Sequence, residues 1–230
     1  MAKKKQAKKP AKKKTKSSVA VAEKKLDAKQ KLQREIAKRN KEFAQASAAE
    51  KRVLIAKDVI QQIKVGRFQA QLQAWVVPLH KNGEDLCFDW EDKIDFSSKP
   101  APLSFENQSV CELFLDKKID TCECCALGAM FMSCTLYSNK TSVRDFVQET
   151  TFNFEERIYT ADGFANGLSK FFSAAQLSLI EAAYEGGIGA FEVSRKQENA
   201  IGWIWELEDP KDRMLAIMKN IIENNGTFKP

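Results

Sequence analysis

The chain has 230 residues, 43% of them hydrophobic, 10% aromatic and 30% charged, which is enough to bury a core and fold as one domain or two small ones without staples. A mean hydropathy of −0.42, and the lack of any uninterrupted apolar run near the roughly 20 residues that cross a bilayer, point away from membranes. The formal net charge of +6 conceals two opposite balances: residues 1 to 43 hold 17 Lys or Arg against 4 acids, a net +13, whereas residues 44 to 230 hold 20 against 27, a net −7. Such asymmetry marks a basic arm that serves an anionic partner, attached to a body that is not itself an electrostatic nucleic-acid binder.

Residues 1–18 carry nine lysines, Lys3, Lys4, Lys5, Lys8, Lys9, Lys12, Lys13, Lys14 and Lys16, with no acid and no side chain able to seed a core. Like-charge repulsion without burial leaves nothing to offset the entropy of ordering, so the segment is expected to be a disordered tail. Its Lys, Ala and Pro bias resembles the tails of linker histones and some bacterial nucleoid proteins, and these nine lysines are the expected nucleic-acid contacts. No apolar h-region follows Lys16, so no secretory signal is expected. The six cysteines then read as free thiols of a reducing compartment. A cytoplasmic, nucleoid-associated location follows, or a nuclear one in a eukaryotic host, where Lys8 to Lys14 would read as a localisation patch.

Residues 19–46 lack Gly and Pro and carry a thin apolar stripe at Ala22, Leu26, Ile36 and Phe43, which predicts a helix that is solvated or weakly coiled-coil. A globular α+β domain, mainly α-helical, is placed at 47–230, and a chain starting at Ser47 is expected to keep the stability of the whole. Ser47 and Glu50 have capping-box spacing, Ile55, Val59 and Ile63 follow at helical intervals, and Gly66 supplies the stop. Phe68, Ala70, Leu72 and Ala74 then alternate with glutamines, predicting a strand through Trp75 to Pro78. A turn at Lys81-Asn82-Gly83 would return a second strand over Leu86 to Trp90, making one small antiparallel sheet near residues 67–90. Helices are predicted over Val110 to Leu115, Cys124 to Tyr137, Ala174 to Glu185 behind a Ser173 cap, and Pro210 to Glu223 between Asp209 and Asn225-Gly226. Ile201 to Trp205 reads as a short strand or buried connector, and Gly186-Gly187-Ile188-Gly189 as a helix stop rather than a phosphate loop.

Cys122-Glu123-Cys124-Cys125 is the one cluster that invites a metal reading. Zinc sites use two ligand pairs of short spacing, and Cys122 with Cys125 makes only one. Cys134 lies nine residues along the predicted helix from Cys125, about 13 Å away, too far to share an ion. Buried thiols are therefore expected, with no metal and no cofactor, and Cys122 and Cys125 stand as weak ligand candidates. His80 has no nucleophile or acid arranged beside it, and no catalytic residue is nominated.

Cys125 to Ala129, Gln176 to Glu185, Ala216 to Phe228 and Ile55 to Ile60 together resemble an uncharacterised group of small proteins from bacterial and bacteriophage genomes, a resemblance that spans the body from Lys51 onward and implies no activity. The functional expectation is a non-enzymatic accessory protein, of viral or phage type, that binds nucleic acid non-specifically through its tail while the acidic body meets a protein partner. The alternative is a protein-interaction or inhibitor module whose tail only solubilises or targets it, and an enzyme ranks behind both.

Overall fold

The computed structural model describes residues 30–31, 33–72, 79–81, 84–85, 108–116, 118–138, 141–142, 167–186 and 193–230. The chain divides into two compact units, Met1–Lys38 and Arg39–Pro230. Helix α1 covers residues 33–45, and from Arg39 onward it belongs to the second unit. The boundary read at Ser47 therefore falls inside that unit. Phe43 stacks on Tyr137 with ring centroids 4.7 Å apart and meets Phe171 edge-on at 5.5 Å, while Arg39 Nη2 donates to Asp58 Oδ1 at 2.8 Å. A stripe too thin to predict packing still docks, because one aromatic ring and one guanidinium suffice when their partners lie on distant segments.

Helix α2, Ala48–Lys64, starts from the predicted capping box: Ser47 Oγ accepts from the Glu50 N–H, and Glu50 Oε2 accepts from the Ser47 N–H. Short strands follow, β1 Phe68–Ala70, β2 Leu79–Lys81 and β3 Glu84–Asp85, then α3 Val110–Leu115, β4 Thr121–Cys124 and α4 Ala126–Ser138. The four strands form one sheet in the order β1-β4-β2-β3. This corrects the purely antiparallel sheet expected near 67–90. β4 runs parallel to β1, pairing Phe68 with Cys122 and Ala70 with Cys124, and antiparallel to β2, pairing Leu79 with Cys122. Thr121-Cys122-Glu123-Cys124 alternates half-buried and buried side chains, a period-2 pattern that claims the centre of the sheet. β2 and β3 pair antiparallel on either side of Asn82-Gly83. The predicted continuation over 73–78 and the return strand over 86–90 lie outside the described residues.

Three helices complete the unit: α5 Ala174–Glu185, α6 Arg195–Trp205 and α7 Pro210–Glu223. The caps predicted at Ser173, Asp209 and Gly186 are in place. Ile201 to Trp205 is the second half of α6, not a strand or connector. Its start lies at Ser194, whose hydroxyl makes a capping box with Gln197. α4 is apolar on all sides and almost wholly buried from Ala126 to Tyr137, as expected of a helix that others surround. It packs on α2, α3 and α5, while α7 packs on α2 and α5, with Ile55, Val59, Leu127, Met130, Ile180 and Ile217 fully buried among them.

Side chains hold the helix ends and the chain end. Arg213 donates to the Tyr184, Trp205 and Leu207 carbonyls, satisfying oxygens that the last turns of α5 and α6 leave open. The Gln176 amide makes a two-way bond with the Phe228 backbone and Asn220 does the same with Lys229. Gly226 turns at φ 89°, and a Cβ there would meet the Ala49 carbonyl at 2.5 Å, so the chain can pass the start of α2 only as glycine.

Candidate functional site

The described residues bring together one group of potential ligands, Cys125, Glu181 and Glu185, whose donor atoms all lie within 4.8 Å of one another. Glu181 and Glu185 are one turn apart on α5 and share a face. At 1% and 2% exposure they are carboxyl groups in the core, where such groups are paired, ligated or kept protonated. Cys125, fully buried, stands at the junction of β4 and α4. Its carbonyl accepts from the Ala129 N–H at 2.9 Å and its Sγ from the Gly128 N–H at 3.4 Å, so the thiol caps α4. The small residues Ala126, Gly128 and Ala129 on α4 and Ala182 and Ala183 on α5 let these packed helices approach.

Burial pushes the Cys125 thiol well above its usual range, with the Glu181 and Glu185 charges adding to the effect. Glu181 is pushed up to about 8 by burial and then by Glu185. Its Oε2 is buried without a hydrogen-bond partner, as is the Tyr184 hydroxyl. Tyr184 is fully buried; burial raises it, and the charges it senses are those of Cys125, Cys124, Glu185 and Glu181. A thiol and two carboxyls thus lie together in the core, with the buried Tyr184 phenol on the same helix as the carboxyls. They can stay neutral by holding their protons or ionise around a cation.

Sequence spacing had placed Cys122 with Cys125. Cys122 lies within β4 and Cys125 between β4 and α4, both fully buried, and the group of potential ligands holds Cys125 and not Cys122. Cys122 instead hydrogen-bonds Cys124, which with burial raises the Cys124 thiol. Cys134 does not join the group. His80 is placed by its backbone pairs with Thr121 and Asp85 on β2. Lys3, Lys4, Lys5, Lys8, Lys9, Lys12, Lys13, Lys14 and Lys16, and Cys87, lie outside the described residues. Sequence reasoning missed Glu181 and Glu185 as potential ligands, although an acid inside the apolar run Leu177 to Tyr184 and a second four residues on, at its end, are a readable signal.

Two other polar features lie outside this group. Asp58, 7% exposed, takes the Arg39 pair and a bond from Gln62 Nε2 at 3.1 Å, tying α1 to α2. A surface groove of about 500 Å³ along α2 is lined by Glu42, Glu50, Lys57 and Asn225 among others. Among the described residues no helix is long and apolar enough to cross a membrane. No family model, curated protein or solved structure matches this chain.

Proposed function

We propose that the chain is a non-enzymatic accessory protein that binds nucleic acid without sequence preference through Lys3 to Lys16, leaving its acidic body to a protein partner. The observation that carries this reading is the segregation of charge: nine lysines and no acid in residues 1–18, against a net −7 over residues 44–230. Lysines along a phosphate backbone release condensed counterions, so affinity comes from salt-dependent entropy and needs no folded interface. Residues 44–230 repel polyanions on average, which leaves attraction to the basic arm, where the tail holds nine of the 17 cationic residues.

The test is a salt titration of the full chain and of a chain lacking residues 1–18 on duplex DNA, single-stranded DNA and RNA. About six phosphate contacts would give a log-log slope near −5 on duplex DNA, at about 0.9 per contact. Deletion of the tail should abolish most binding, and the isolated tail should keep most of it. Equal binding by both chains would move the nucleic-acid site into the body. Absence of binding by either near physiological salt would favour the protein-interaction module.

A further inference from the structure

We propose that Cys125, Glu181 and Glu185 hold a divalent transition-metal ion of the zinc type in the core between α4 and α5, with the Tyr184 hydroxyl as fourth donor. Three potential ligands from two separate chain segments lie within 4.8 Å of one another, and all three are buried. A tetrahedral ion with metal–sulfur and metal–oxygen distances of about 2.3 and 2.0–2.2 Å would draw them inward by about an ångström, within the swing of a glutamate side chain.

Two further observations accompany this group. Glu181 Oε2 and the Tyr184 hydroxyl are buried polar atoms without hydrogen-bond partners, on residues that are 1% and 0% exposed. Such atoms are rare in native cores and call for an explanation. A single cation held between α4 and α5 would satisfy both, and among the described residues only burial and Glu185 act on Glu181. The thiolate selects against magnesium and calcium, and the carboxylates make the set harder than an all-cysteine structural zinc site. Two carboxylates and a thiolate exceed the ion's charge by one, and the N-terminal end of α4, which Cys125 caps, offsets part of that excess. Because Cys125 is fully buried, the ion enters while the chain folds.

The experiment uses the untagged full chain, unfolded with chelator and refolded with cobalt(II) as the spectroscopic probe. About one equivalent of cobalt should remain after desalting, with a thiolate-to-cobalt charge-transfer band. Cys125→Ser should lose the band, Glu181→Gln should lose the stoichiometric ion, and Cys122→Ser should keep both. Circular dichroism of each variant establishes that it is folded; should Cys125→Ser fail to fold, Glu181→Gln decides alone. Folded wild-type protein without stoichiometric cobalt, a band that survives Cys125→Ser, or full uptake by folded Glu181→Gln would overturn the proposal. The lysines of the tail have no affinity for a cation, so failure here leaves the nucleic-acid reading untouched, and the reverse also holds.

Discussion

Glu181 shows how one residue can work against the fold it sits in. Without a metal its carboxyl is held neutral, at about 8, by burial first and by Glu185 second, with the Cys125 thiol facing it from the start of α4. In the unfolded chain it ionises near the ordinary glutamate value, about 4.3. Between those two values the native state binds the extra proton, so stability falls as pH rises through that window, with a slope approaching about 1.4 kcal/mol per pH unit. Metal-stripped Glu181→Gln protein, which has no proton to lose there, should be more stable than wild type at pH 7 to 8. Denaturant melts at pH 5 and pH 8 should show the gap widening with pH, and a constant gap would mean that the carboxyl is ionised in the fold.

At the scale of elements, α1 carries the clearest consequence. Its Phe43 ring lies between Tyr137 and Phe171, and its Arg39 neutralises the buried Asp58. Aromatic pairs contribute about 0.5–1.5 kcal/mol beyond their buried area, and removing one partner of a buried ion pair costs about 3–5 kcal/mol, less here because Arg39 is partly exposed. A chain beginning at Ser47 should therefore melt at least about 5 °C below the full chain, and Phe43→Ala alone should reproduce part of the loss. Unchanged melting would restore the boundary read from the cap. The caps themselves were legible: Ser47, Ser173, Asp209 and Gly186 stand where the residue types place them, because capping is settled within one turn. The centre of the sheet was not. Thr121 to Cys124 is only a four-residue alternation, and whether it pairs with Phe68 to Ala70 is decided by about 50 residues of intervening chain.

For the whole molecule, binding that rests on a cationic tail rather than a shaped surface has no means of telling one polyanion from another. Heparin or polyphosphate at matched charge should displace duplex DNA from the full chain, and the displacement should weaken as salt rises. Displacement that depends on nucleic-acid sequence, measured by fluorescence anisotropy with unrelated competitors, would instead require a folded recognition site.

The sequence by itself determined the charge segregation, the helical character of the body and most of its helix ends, since net charge, apolar period and caps are properties of neighbours along the chain. Only the tertiary structure decided the rest. It set β4 between β1 and β2, moved Arg39 and Phe43 into the body, and joined Cys125 to Glu181 and Glu185 across some 60 residues. The physical reason is the same in each case. A site of this kind is fixed by which faces meet, and a face is known only once strand or helix period has been assigned and the elements have packed.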